Sequence, residues 1–516
     1  MALTIERATS SKVIFTHAGR VEALYGSRAE QVWHALARLA EADRRRGIET
    51  RLVRLDVRDD VTPYRASPLS VDADPRAFKT AVDACVRARR PEYVLLLGGP
   101  DVVPQQPLAP TLTDSDRVVP SDLPYACDAP YSIDVRAFTC PTRVVGRLPG
   151  ITGDRSPQAL VASLRTATSW RPREREEYAD VLAIAARPFE GSTASSLEAI
   201  FGHPQELQLV PPRKCRWSPA LLARRTHFIN CHGVEDESEF EGEDGDEFPT
   251  AHSAPYVAGK LSDGTVAAVE CCYGSQMYDP RVARSFESMV HVYLRHGAYA
   301  YFGSSTSTYA PETSSGQADL ICRSFLRHVL AGASAGRAAL EARHEYLHEH
   351  PTLDPTDLKT LAQFALFGDP SVHPVAPARS AWIALSAGGM GPAHAQQGVG
   401  RSERRLRLAA RGAALHAASM VSRPAPRSAV EPVVMRELIA AARAEGGTIA
   451  SITSHRIDAR PAARRLRRAC GARTEKLCVA VVDRGAGPGV RRGRLLLIAH
   501  VEGGRIGALR RVRGRT

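Results

Sequence analysis

Two segments of this 516-residue sequence carry residue types that could act together on a carbonyl. THFINCHG places His232 and Gly233 just after an apolar run, and TVAAVECCYG does the same for Cys271, Cys272 and Gly274. A thiol is mostly protonated at neutral pH, so it becomes a nucleophile when a neighbouring imidazole takes its proton or stabilises the thiolate. The same imidazolium can later return a proton to a leaving amine. Glycines beside these residues let the backbone turn sharply and present N–H groups to a developing oxyanion. Singly, a Cys at a strand end is usually core packing and His-Gly is usually a turn. Only the pair points to acyl-transfer chemistry.

The elements that must position such a pair are legible as alternation. KVIFTH, ETRLVRLDV, YVLLLGG, RVVGRLP, DVLAIAA, LQLV, THFINC, TVAAVEC and YAYFGS read as strands. Helical patterns fall between them near 29–46, 75–90 and 155–170, with three more between Gly316 and Phe367. Strands alternating with helices predict a mostly parallel α/β sheet covered on both faces, and ligands in such sheets bind beyond the carboxyl ends of the strands. His232 and a cysteine of the doublet, at two such ends, can therefore share a cleft. The expected divisions are an N-terminal α/β subdomain (1–150), a catalytic subdomain (151–376), a linker or arm (377–431) and a small basic α+β domain (432–516).

Composition narrows the class. Hydrophobic residues at 44% and charged residues at 24% are those of a globular protein. No apolar run is long enough for a membrane helix, and the N-terminal residues lack secretory-signal features, so no membrane partner and a cytoplasmic location are expected. The ten cysteines show neither a disulfide framework nor zinc spacing. From Arg379 onward the chain carries 27 basic and 8 acidic residues, whereas the rest is mildly acidic within a total of +12. That tail contains no aromatic residue after Trp382. Stacking platforms are therefore missing, and a solvated arginine-rich surface is favoured over nucleic-acid recognition.

From about Arg90 to Val375 the sequence resembles the gingipain family of cysteine peptidases, within the caspase-like group. YVLLLGGPDVVP, SDLPY, VVGRLP, INCHG, AVECCYGSQMYD, AYAYFGSSTSTYA and FALFGDPSVHPV follow the order of that family's elements. The resemblance implies a caspase-like sheet, a cysteine endopeptidase acting on protein or peptide substrates, and His232 as the catalytic histidine. Glycine three residues after the nucleophile, the pattern of gingipain-like enzymes, selects Cys271. The Cys-x-Gly spacing of caspases would select Cys272. The resemblance also suggests Glu190 as the carboxylate behind the histidine, with Gly233 and Cys271 N–H groups as the oxyanion hole. Ser195 and Ser196 stand where arginine-specific members place an acidic residue, so that specificity is not carried over.

The acidic segment 235–248 after His232 reads as a solvated loop. It could draw basic substrates to the cleft, hold Ca²⁺ through several carboxylates, or pair with the arginine-rich tail. No cofactor is required by the dyad. A cytoplasmic peptidase needs restraint, so activation by a partner, a cleavage or a ligand is expected. A silent caspase-like scaffold with an arginine-rich binding domain is the competing reading, and acyl transfer on a non-peptide substrate a third.

Overall fold

Short runs of β-branched and aliphatic residues, with side chains alternating between two buried faces, build the centre of the molecule. The computed structural model describes residues 10–213, 215–245, 247–311, 316–376, 407, 410–411, 414–415, 420–425, 430–459, 476–484 and 494–514. Most of the expected arm (377–431) and all of the arginine-rich segment 460–473 lie outside the described residues.

Ten strands form the main sheet: β1 (Ser10–Thr16), β2 (Ile48–Arg54), β3 (Tyr93–Leu97), β4 (Val144–Leu148), β5 (Val181–Ala186), β6 (Leu207–Val210), β7 (Thr226–Asn230), β8 (Val266–Val269), β9 (Ala300–Ser304) and β10 (Phe364–Phe367). Their order is β2-β1-β3-β4-β10-β9-β8-β7-β5-β6. Every neighbouring pair is parallel except β9 and β10, which meet antiparallel, so two parallel half-sheets are joined back to back. This is the mostly parallel sheet expected from the alternation, with one exception. FALF, read as the end of a helical region, is instead β10 at the middle of the sheet.

Helices cover both faces. On one side lie α1 (Ala29–Arg45), α2 (Gln158–Ser169) and α3 (Met289–Arg295). On the other, α4 (Glu190–Phe201), α5 (Gln317–Leu330) and α6 (Ala335–Glu349) pack against one another and the sheet. Strand parity sorts the core cleanly. Val181, Ala183, Phe228, Val266, Ala268 and Phe302 face α4–α6, while Leu182, Ile184, Ile229, Ala267, Val269 and Tyr301 face α3. The FGDPS segment has a structural task. Its Asp369 shares the buried Lys12 ammonium with Asp43 of α1, so loop, strand and helix are tied by one desolvated charge cluster. Removing one partner from such a cluster typically costs about 3–5 kcal/mol.

The C-terminal residues form antiparallel strands β11 (Met420–Ala425), β12 (Gly447–Ala459), β13 (Lys476–Arg484), β14 (Arg494–Glu502) and β15 (Arg505–Gly514), with α7 (Pro432–Ala444) against one face. Gly503 and Gly504, at φ 54° and 76°, make the two-residue turn between β14 and β15, which needs positive φ at both positions. This sheet is extended at both edges by the larger unit. Thr352–Leu353 pairs with β11, and Tyr309–Ala310 pairs antiparallel with β15. Among the described residues no helix is long and apolar enough to cross a membrane.

Candidate active site

β7 and β8 are parallel neighbours with Val269 beside Ile229, so the residues following each emerge at the same end of the sheet. The two chain ends then touch. A Cβ at Gly233 would lie 2.0 Å from the Cys272 carbonyl oxygen, so only glycine lets the His232 loop pass this close to the cysteine loop.

The cysteine doublet divides between two environments. Cys271 joins the core around Tyr293 and Tyr301 beneath the sheet. Its Sγ accepts the Cys231 N–H at 3.4 Å and lies 3.9 Å from the Ile229 carbonyl oxygen. Cys272 is directed to the loop after β9, where its Sγ accepts the Thr308 N–H at 3.0 Å and lies 3.5 Å from Thr308 Oγ1. Both thiols are fully buried. Burial pushes the Cys272 thiol up to about 12, against the opposing pull of the Thr308 hydrogen bonds and the Lys359 charge.

His232, 2% exposed, is held on three sides. The rings of Phe189 and Phe248 lie 5.0 and 5.5 Å from its own, and Nε2 is 2.7 Å from Glu243 Oε2. The other oxygen of Glu243 accepts from Arg513 Nη2 at 2.6 Å. Burial raises the Glu243 carboxyl, but the His232 hydrogen bond and the Arg513 charge outweigh it and hold the group below its ordinary range. The carboxylate that meets the imidazole is thus Glu243 and not Glu190. Glu190 opens α4 with an exposed side chain, and Ser195 and Ser196 follow within the same helix.

A second cluster braces the cysteine loop. Asp116 accepts from the Tyr273 hydroxyl at 2.7 Å and from the Ser307 N–H at 3.1 Å, and Lys359 bridges Asp114 and Asp116. Neither Asp116 nor Lys359 belongs to a recognisable motif. Glu243 lies in the acidic segment and Arg513 in the basic tail, so opposite charge was the one signal that could have linked them. Elsewhere in that segment Glu239 accepts from the hydroxyls of Thr250 and Ser253. Among the described residues no three His, Cys, Asp or Glu side chains gather as a metal site.

The arrangement can hold an imidazole in one tautomer beside a cysteine loop, with backbone N–H groups of both loops at the same sheet end. Comparison with known proteins gives a family match over part of the chain. One solved structure, titled "Structure of Protease", is similar at 12% identity with a TM-score of 0.46, over 98% of this chain and 97% of its own, a likeness too low to carry an argument. No curated protein matches. Residues 255–375, which hold both cysteines, match the model of peptidase family C25, the gingipain family that the motifs resemble, and this match supports a cysteine-type peptidase.

Proposed function

We propose that the chain is an endopeptidase in which Cys272 attacks the peptide carbonyl and His232 moves the proton. The observation carrying this reading is the division of the doublet. Cys271 packs into the apolar core, whereas Cys272 belongs to the loop whose backbone abuts Gly233. The Nε2–H donated to Glu243 selects the tautomer in which Nδ1 is the base. His232 Nδ1 takes the Cys272 proton as sulfur bonds to the carbonyl carbon. The resulting oxyanion is stabilised by the Gly233 and Cys272 N–H groups. Collapse breaks the C–N bond, and His232 gives its proton to the departing amine. Water, deprotonated by His232, then attacks the thioester and releases the acid and the thiol. Glu243 serves as a positioning residue, stabilising the imidazolium as it forms. Protein or peptide chains are the substrates of this reading.

The test is labelling by a peptidyl acyloxymethyl-ketone probe with the modified residue mapped by mass spectrometry. Labelling at Cys272 that disappears in Cys272→Ala and persists in Cys271→Ala supports the assignment. Labelling that disappears only in Cys271→Ala moves the nucleophile back to Cys271. Loss in neither variant removes the thiol mechanism and favours the silent scaffold.

A further inference from the structure

The residues assigned to catalysis are sealed. His232 is 2% exposed and Cys272 not at all, and burial holds the Cys272 thiol almost wholly protonated. On one side of them lies β15. β15 runs ten residues from the exposed Gly503–Gly504 turn, and its burial changes along its length. Its first residues are open to solvent, while Val512, Arg513 and Gly514 are buried. At that end, still paired with β14 through Val512 beside Leu496 and Arg513 beside Leu495, it also pairs antiparallel with the larger unit, Ala310 beside Arg513 and Tyr309 beside Gly514. Tyr309 directly follows Thr308, whose N–H and hydroxyl hold the Cys272 sulfur. The Arg513 guanidinium, 1% exposed, reaches the carboxylate that orients His232.

We propose that β15 is an internal strap. It occupies the Tyr309–Ala310 edge on which an extended substrate chain would have to pair, and catalysis requires its terminal residues to leave. The inference rests on the reading of Cys272 and His232 as the reacting pair. Backbone pairing along an exposed edge is the general way an extended peptide adds to a sheet, and here that edge is filled from within. The end of the strap is held from both sides, by β14 through Leu495 and Leu496 and by the larger unit. Its ladder to the larger unit is two residues long, supplemented by Arg513 on Glu243, by Arg510 on Asp354, and by Val512, Tyr309 and Leu112 in one small apolar cluster. Release of its last residues frays the end of the β14–β15 ladder and breaks no pairing of the ten-stranded sheet, to which β15 contributes none.

The experiment follows the rate at which iodoacetamide alkylates Cys272 in the full chain at pH 7.5, mapped by mass spectrometry. Two variants act in opposite directions. Arg510→Ala loosens the strap away from the catalytic residues. Tyr309→Cys with Gly514→Cys locks it by a disulfide between paired positions. The expected result is at least tenfold faster alkylation in Arg510→Ala, and at least tenfold slower alkylation in the oxidised lock than in its reduced form. Because a misfolded lock would alkylate fast in both redox states, a slow oxidised form is informative whatever the stability of the pair. Rates within twofold across wild type, Arg510→Ala and both lock states overturn the strap. Peptidyl-ketone labelling, run in parallel, separates the two claims. Faster alkylation on opening without peptidyl labelling leaves the strap standing and removes the peptidase reading. Equal peptidyl labelling of wild type and Arg510→Ala leaves the peptidase and removes the strap.

Discussion

The Glu243 carboxylate touches the imidazole with one oxygen and Arg513 with the other, so a single side chain sets both the tautomer of His232 and the grip of the C-terminal strand. Glu243→Gln keeps the shape and a hydrogen-bonding oxygen but removes the charge that stabilises an imidazolium. We expect turnover of a peptide substrate to fall about 10²-fold or more and the acidic limb of the kcat/KM profile to move down in pH, since the imidazolium loses its counter-charge. Steady-state kinetics across pH check this, and the same measurement on Glu190→Gln should match wild type. Of these residues, the position of His232 just after an apolar strand was legible in the sequence. The choice within Cys271-Cys272 was not. The spacing to Gly274 favoured Cys271, whereas the direction of each side chain depends on how the turn after β8 packs.

At the scale of elements, the helix Pro355–Gln363 shows how local signals and distant partners combine. Asp354 is its N-cap, accepting from the Thr356 and Asp357 N–H groups, while Asp357 reaches back to the Asp354 N–H. The same Asp354 receives Arg510 from β15. Asp354→Ala should therefore cost about 1–2 kcal/mol through the lost cap, seen as a lower urea midpoint. It should also raise the hydrogen exchange of β15 amides near Arg510, which a cap acting alone would not do. Most strands and helices were readable from their period. β10 was not, because four apolar residues directly after a helix carry no period of their own. Its place between β4, to which it runs parallel, and β9, to which it runs antiparallel, comes from pairings with segments sixty or more residues away.

At the scale of the molecule, three buried histidines set an acid limit. Desolvation lowers His227 to about 4, His252 to about 3 and His291 to about 4, from an ordinary value near 6.5. A group whose folded pKa is depressed binds its proton more readily when unfolded. Its contribution is thus complete above pH 6.5 and is lost as pH falls through the folded value. Stability should decline by on the order of 1.4 kcal/mol per pH unit for each such histidine, between pH 6.5 and about pH 4. Urea unfolding across that range measures it, and a flat midpoint would show that these rings are not held neutral.

The sequence by itself determined what depends on nearest neighbours and charge totals: an alternating α/β unit, a His and a Cys pair at strand ends, a motif order shared with one peptidase family, and a basic tail after an acidic body. The tail's pairing with the acidic loop was readable only as opposite charge. Tertiary structure alone decided which cysteine enters the core, which carboxylate meets His232, and that Arg513 of β15 reaches the site. Those choices depend on contacts such as Arg513 with Glu243, 270 residues apart. No local propensity encodes them, because which distant side chains share one desolvated space is fixed only when the sheets are assembled.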